Sequence, residues 1–133
     1  IICGDTTAQI AARLLGRPLR VEQSAAPRRA KIPPLSYLEG LDLVTEGLIT
    51  LRQATEWLRG AETVRDLPRS ADAAARLAHA LLSADQIRFI VGQAVNPAQI
   101  TEVGSGVSPR LAIVGELIAR LRAQGKVVYI TYL

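Results

Sequence analysis

Three short, mostly apolar runs constrain the fold of this chain more than any other feature, because each stops abruptly at a polar loop that contains glycine. A buried strand that delivers a loop to one edge of a mostly parallel sheet has this profile. The runs and their loops are residues 1–3 with Gly4-Asp5-Thr6-Thr7, residues 41–44 with Thr45-Glu46-Gly47, and residues 87–91 with Gly92-Gln93. The sequence therefore predicts three strands whose loops gather at one edge.

Helical patterns separate these strands, so the chain predicts parallel β-α-β units with right-handed crossovers. Residues 19–22 alternate between apolar and polar side chains, and residues 126–132 are rich in β-branched and aromatic ones, which adds two strands. The proline-containing residues 23–36 are expected to be an irregular connection. We predict an α/β fold of the flavodoxin or Rossmann-like type, with three layers and helices on both faces. Its mostly parallel five-strand sheet has the order 2-1-3-4-5, so that strand one is central.

Cap residues and apolar spacing place the helices between the strands. Thr6 is the expected N-cap of the first helix, with Gln9 completing a capping box. Ile10, Ala11 and Leu14 of this helix are expected to face the core. The expected N-caps of the later helices are Thr50, Ser70 and Ser108, the last followed by Pro109.

The composition fits a single α/β domain over residues 1–133. A chain of this length is long enough to bury roughly two thirds of its unfolded surface. No apolar run approaches the ~20 residues of a membrane helix, so we expect a soluble protein without a membrane partner. Cys3 is the only cysteine, which excludes an internal disulfide and fits the cytoplasm. Because the chain has no Met and begins inside an apolar run, we expect a fragment of a longer protein. The net charge of +4 with so few aromatic residues does not favour a nucleic-acid partner.

Ligands of such sheets bind outside the carboxyl ends of the strands, where the strand order reverses. In the predicted order this point lies between strands one and three, with the loop after strand four beside it. Free N–H groups at the start of the first helix favour an anion, while Glu46 favours hydroxyl or amino groups on the same ligand. A purely structural role stays open, because turns and caps use the same residue types. The predicted ligand-binding residues are Gly4, Asp5, Thr6, Thr7, Glu46, Gly47, Gly92 and Asn96.

No catalytic constellation stands out in the sequence. Cys3 lies inside a strand, where a buried and inert thiol is expected, and the single histidine, His79, has no partner at a catalytic spacing. Four acidic residues would bind a divalent cation if they converged, although surface or cap roles are the default: Asp5, Glu39, Asp42 and Glu46. We therefore assign neither catalytic nor metal-binding residues.

Three segments of the chain, taken together and in order, form a sequence pattern. They are Ile2-Cys3-Gly4-Asp5-Thr6-Thr7-Ala8, Glu39-Gly40-Leu41-Asp42-Leu43-Val44-Thr45-Glu46-Gly47 and Val91-Gly92-Gln93-Ala94-Val95-Asn96-Pro97-Ala98. In this order they resemble the carboxyl-terminal region of bacterial SpoIIE-like serine phosphatases, the stage II sporulation protein E type. The resemblance covers nearly the whole chain, and its middle segment is the most specific part. Asp5 departs from the family pattern, in which Gly is expected.

The resemblance implies an accessory domain downstream of a phosphatase domain of the protein phosphatase 2C type, which would be its partner and would use Mn²⁺ or Mg²⁺. That chemistry needs an Asp-Gly pair at the metal site, and no Asp of this chain is followed by Gly. The expected function is the regulatory sensing of a small ligand, with no catalysis and no cofactor in this fragment. Two alternatives remain open: a stand-alone metal-assisted hydrolase that uses the acidic edge, and a structural interaction or homodimerisation module.

Overall fold

The computed structural model of the protein describes residues 1–23, 31–94 and 108–133. A short 3₁₀ turn (Val64–Asp66) separates the second and third helices. In chain order the elements are β1 (Ile2–Cys3), α1 (Asp5–Leu15), β2 (Arg20–Val21), β3 (Ser36–Tyr37), β4 (Val44–Thr45), α2 (Leu48–Gly60), α3 (Ala73–Ser83), β5 (Gln86–Val91), α4 (Pro109–Ala123) and β6 (Val127–Tyr132).

The described strands form two sheets. One is a mixed sheet in the order β1-β4-β3-β2, and the other is the parallel pair β5-β6. β1 and β4 run parallel, whereas β3 is antiparallel to both β4 and β2. The parallel neighbours β1–β4 and β5–β6 agree with the predicted order. The predicted three-layer, flavodoxin-like sheet of five strands in the order 2-1-3-4-5 is nevertheless wrong, since β1 lies at a sheet edge and two antiparallel pairings are present.

The strand β3, which the sequence did not predict, explains much of the difference. It begins at the last residue of the segment expected to be irregular, and it is flanked by Leu35 and Leu38, which are both buried. Gly40, at φ +91°, belongs to a turn in which the Leu41 N–H donates to the Leu38 carbonyl over 3.0 Å. This turn reverses the chain, so β3 pairs antiparallel with β4. β2 then pairs with the other side of β3 instead of joining β1.

α1 packs on the mixed sheet through alanines. Ala8 and Ala12 are buried in a small cluster with Val44. Of the stripe predicted from the sequence, only Ala11 packs, partly buried, against this cluster. Ile10 is 51% exposed and Leu14 is 82% exposed, so the expectation that they face the core is wrong. The physical reason is that small side chains let the helix lie close to the strands, which leaves its larger apolar residues on the outer side.

The later helices begin near the predicted positions. Asp72, rather than Ser70, is the N-cap of α3, because its carboxylate accepts the N–H groups of Ala74 and Ala75 over 3.0 and 2.9 Å. Ser70 supports this cap by donating its hydroxyl to Asp72 Oδ2 over 2.5 Å. The start of α4 at Ser108, with proline as its first residue, is confirmed.

The main core lies where α2 packs against both α3 and α4 and where these helices meet the inner faces of the strands. Its largest fully buried side chains include Leu58, Leu77, Leu117 and Leu121. None of the helices in the described segments is long and apolar enough to cross a bilayer. α2 contacts α3 and α4 in this core, and it also contacts β1 of the mixed sheet.

Candidate ligand site at the paired strand ends

The parallel pair β1–β4 brings two strand-to-helix junctions to the same edge of the sheet. Cys3 is paired with Thr45, and the Gly4 N–H donates to the Thr45 carbonyl over 2.9 Å. α1 begins two residues after Cys3, and α2 begins three residues after Thr45. Both helices therefore start beside each other, with their N-terminal ends at the edge where a ligand was predicted.

Two glycines make this juxtaposition close. A Cβ atom added to Gly47 would lie 3.5 Å from the Cα of Gly4 and 3.9 Å from the carbonyl oxygen of Cys3. The backbones of the two junctions are therefore in contact, and no ligand fits between them. A ligand that uses both junctions has to rest on the outer side of this contact, against the first turns of the two helices.

Neither helix start is capped by a side chain. The N-cap of α1 is Gly4, rather than the predicted Thr6, and the N-cap of α2 is Gly47, rather than the predicted Thr50. The first N–H groups of an α-helix have no partner within the helix, and they carry its partial positive charge. Asp5, in the first turn of α1, is exposed and offsets part of that charge.

Two polar atoms beside the junctions are buried without a hydrogen-bond partner: Oε2 of Glu46 and Oγ1 of Thr50. Thr50 is completely buried, and Glu46 is partly exposed. The neighbouring hydroxyl of Thr45 has a partner, because it donates to the Glu46 carbonyl over 2.8 Å. Buried polar groups in folded proteins are nearly always hydrogen-bonded, so these two atoms are exceptions to that rule beside the junctions.

Cys3 lies next to the same atoms. Burial raises the pKa of its thiol above the ordinary value of 9.0, and the nearby Glu46 carboxylate raises it further, against opposing effects of Thr45 and the N-terminus. The thiol is consequently protonated at neutral pH.

The third predicted loop is tied to a different part of the molecule. Gly92 is exposed at the end of β5, and its carbonyl accepts from Arg110 Nη2 over 3.3 Å. The following Gln93 N–H donates to the carbonyl of Leu133 over 3.1 Å. These bonds connect the loop to α4 and β6. Asn96, the last predicted ligand-binding residue, lies outside the described residues.

The acidic residues considered for a metal do not converge in the described part of the chain, where no three His, Cys, Asp or Glu side chains are grouped to hold an ion. Asp5, Glu39 and Asp42 are all exposed. His79 lies elsewhere, with Nε2 3.1 Å from the Pro68 carbonyl.

The sequence did not predict a cleft that lies between α2 and α4. It has a volume of about 170 Å³, and Arg59 forms an ion pair with Glu116 across it at 2.6 Å. Its α2 side is formed by Arg52, Glu56 and Arg59, whose spacing of four and three residues places them on one face of the helix. That spacing was the available signal, although it is equally typical of a solvated helix surface.

Comparison with protein family models, curated proteins and solved structures found no match to this chain.

Proposed function

We propose that this chain is a non-catalytic, ligand-sensing accessory domain of a cytoplasmic SpoIIE-like serine/threonine phosphatase. The observation that carries the proposal is the contact between the two strand-to-helix junctions at Gly4 and Gly47. Two of the three segments on which the family resemblance rests, residues 2–8 and 39–47, supply these junctions. Two of the three segments that resemble the family therefore meet at the candidate site.

The position of α2 supports a regulatory role for this site. Its first turn borders the junction, and the rest of the helix packs against α3 and α4. A ligand that contacts the first turns of α1 and α2 would tie the mixed sheet to the helical core. If the ligand binds one conformation of these elements more tightly, it raises the population of that conformation. A neighbouring phosphatase domain would respond to this change in population.

Phosphoester hydrolysis would take place in the partner domain. Phosphoester hydrolysis of this type relies on metal ions held by aspartates, including an Asp-Gly pair that this chain lacks. The metal, Mn²⁺ or Mg²⁺, would belong to the upstream phosphatase domain of the same chain. The accessory domain would contribute only binding energy and a conformational signal.

The direct test measures phosphoserine hydrolysis with Mn²⁺ for three proteins: this chain alone, the phosphatase domain encoded upstream of it, and the two joined. We expect no turnover from this chain, turnover from the phosphatase domain, and a rate in the joined protein that changes with an added metabolite. Chelator-sensitive turnover by this chain alone would contradict the non-catalytic assignment. A joined protein whose rate never differs from that of the phosphatase domain would contradict the regulatory one.

The apolar side of α1 favours a second candidate function, an interaction or homodimerisation module. Ile10, Leu14 and Leu15 are exposed on a single helix, and Ile1 and Val21 are exposed as well. Light scattering over a range of protein concentrations distinguishes the candidates, since a module of this kind would associate without any small ligand. Association that is insensitive to metabolites, together with an unchanged phosphatase rate, would favour this second candidate.

A further inference from the structure

We infer that the outer edge of β6 is an interaction surface at which two copies of this chain pair antiparallel, with Thr131 on the two-fold axis between them. The pairing joins the two-stranded sheets of both copies into one sheet in the order β5-β6-β6-β5. Three observations carry it: backbone groups of β6 that face away from β5, an arginine that covers one end of that edge, and a strand without charged side chains. It needs no ligand, so it goes beyond the proposed function.

Alternate residues of β6 direct their backbone groups away from β5. The Leu133 N–H donates to the Val91 carbonyl over 3.0 Å, and the Leu133 carbonyl accepts from the Gln93 N–H over 3.1 Å. In a parallel pair, both backbone groups of one residue point to the partner strand, and those of the next residue point to the opposite side. The odd-numbered residues of β6 therefore pair with β5. The even-numbered ones face the outer edge: Val128, Ile130 and Tyr132.

The outer edge of β6 is covered at one end and open at the other. Among the described strands, only β5 pairs with β6. The side chain of Arg122 covers the first part of the edge, because its Nη2 donates to the Val128 carbonyl over 3.2 Å. The outward backbone groups of Ile130 and Tyr132 have no hydrogen-bonded partner within the described ranges. Unpaired N–H and C=O groups of an edge strand are a template for pairing with another strand.

The side chains of β6 favour a second copy of the same strand as that partner. Residues 127–133 include no charged side chain, so the strand can lie opposite itself without like-charge repulsion. β5 differs in this respect, because self-pairing of β5 would bring its Arg88 near the same residue of the second copy. Tyr132 is 54% exposed and Leu133 is 76% exposed, so pairing would also remove apolar surface from water.

The position of Arg122 selects the register of the pairing. Since its side chain occupies the Val128 carbonyl, the free groups are those of Ile130 and Tyr132. In an antiparallel pair, Ile130 would exchange both backbone hydrogen bonds with Tyr132 of the second copy, and the symmetric pair would do the same. This register places Thr131 opposite itself, in the type of pair in which side chains lie closest together. Threonine pairs of this kind are favourable.

The association test measures the oligomeric state as a function of concentration. A single strand edge is a small interface beside the about 1,200–2,000 Å² buried in stable complexes, so we expect a reversible dimer with a Kd of about 1–100 μM. Sedimentation velocity from about 1 μM to about 1 mM should show a monomer at the low end and a dimer at the high end. A chain that stays monomeric overturns the inference. A mass that rises beyond the dimer also overturns it, because a two-fold pairing is closed.

Tyr132→Pro tests the use of the outer edge. Proline removes an N–H that the proposed pairing needs and that β5 does not use, and edge strands tolerate proline at such positions. The variant should remain folded by circular dichroism and should be monomeric over the same concentrations. A folded Tyr132→Pro variant that dimerises like the wild type would overturn the inference.

Charges at Thr131 test the two-fold axis. Thr131→Lys and Thr131→Glu each place like charges opposite each other, so each should weaken the dimer about fivefold or more. An equimolar mixture of these two variants should associate again, because opposite charges then lie across the axis. Val127→Lys is the matched control, since it adds the same charge to another exposed position of β6 outside the paired stretch, and it should dimerise like the wild type.

The remaining outcomes decide between this edge and other contacts of a second copy. Dimers that persist in both Thr131 variants would place the contact elsewhere, such as on α1, and overturn the inference. Thr131→Lys and Thr131→Glu variants that dissociate but do not associate when mixed would overturn the two-fold pairing. An equal loss of dimer in Val127→Lys and Thr131→Lys would overturn the register.

Discussion

The region from β1 to β4 and the region from α2 to β6 are organised differently. In the first, a small cluster of Ala8, Ala12, Leu38 and Val44 holds α1 on the sheet, and the larger apolar residues of the helix remain outside. In the second, three helices enclose a continuous core. The N-terminal region thus has little buried apolar area of its own and depends on α2 to support one side of it.

The helix ends show the same contrast. Carbonyls at the end of α2 accept from side chains at the end of α4 and just after it. Arg120 Nε donates to Leu58 O over 2.9 Å, and Gln124 Nε2 donates to Ala61 O over 2.8 Å. Lys126 Nζ serves the end of α3 in the same way, over 2.6 Å to Leu82 O. Both ends of α1, in contrast, are formed by glycines. The helix ends of the second region are therefore bonded by side chains of distant residues, whereas α1 has no side-chain cap at Gly4 and ends in local backbone hydrogen bonds at Gly16.

The largest expected effect is in the helical core. Leu117→Ala removes a completely buried side chain of α4 and should lower the free energy of unfolding by about 2–5 kcal/mol. Leu117→Ile, the matched control, keeps the volume and should cost less than about 1.5 kcal/mol. Urea unfolding followed by circular dichroism measures both. A loss from Leu117→Ala of no more than the control would mean that the helical region is not the main source of stability.

A smaller loss of stability is expected at the C-terminal end of α2. Arg120→Ala removes donors to Leu58 O and Ala61 O, and should cost about 1.5–3 kcal/mol, as is usual for hydrogen bonds of a charged group. Arg76→Ala, an exposed arginine on α3, is the control and should stay within about 0.5 kcal/mol. Equal effects of the two changes in urea unfolding would show that the hydrogen bonds of Arg120 to the end of α2 do not stabilise the fold.

The boundary between the regions should be sensitive to volume at Gly47. Its φ of −88° is available to any residue, and an added Cβ would lie 3.5 Å from Gly4 Cα, an ordinary contact. Gly47→Ala should therefore be nearly neutral. Gly47→Val adds methyl groups against β1 and should cost about 1–3 kcal/mol through overpacking. Thermal unfolding of both variants tests the contact, and equal tolerance of Ala and Val would mean that the junctions are not packed together.

The thiol of Cys3 predicts a pH dependence on the N-terminal side. Its pKa is higher in the folded state than the ordinary 9.0, so the folded state holds the proton more tightly. This contribution to stability is fully present below about pH 9.0 and is lost as the pH rises toward the folded pKa. Stability measured from pH 7 to 10 should fall less steeply in Cys3→Ala than in the wild type. Parallel curves would show that the thiol is solvated in the folded protein.

The sequence predicted the features that depend on neighbouring residues. Ser108 with Pro109 starts α4, as expected. The approach of Gly4 to Gly47 also follows from predicting β1 and β4 as parallel neighbours. Whether these residues bind a ligand stays a prediction.

The features that could not be predicted from the sequence depend on tertiary contacts. β3 is only two residues long, and it exists because Leu35 and Leu38 are buried and because Gly40 reverses the chain. The rotation of α1 depends on how closely its alanines approach the sheet. The buried atoms of Glu46 and Thr50 depend on side-chain positions, for which no spacing rule exists.

The smallest expected effect tests the open side of α1 most directly. Leu14 is 82% exposed, so Leu14→Gln should change the free energy of unfolding by no more than about 0.5 kcal/mol in the isolated chain. The molar mass from light scattering should be the same for the variant and the wild type. Ala12→Gln is the contrasting change, because Ala12 is only 8% exposed and a larger side chain there would push α1 away from the sheet. Strong destabilisation by Leu14→Gln, together with a drop in molar mass, would show that a second copy covers this helix. The N-terminal region would then owe its stability to association rather than to α2, and the interaction module would become the better account of the chain.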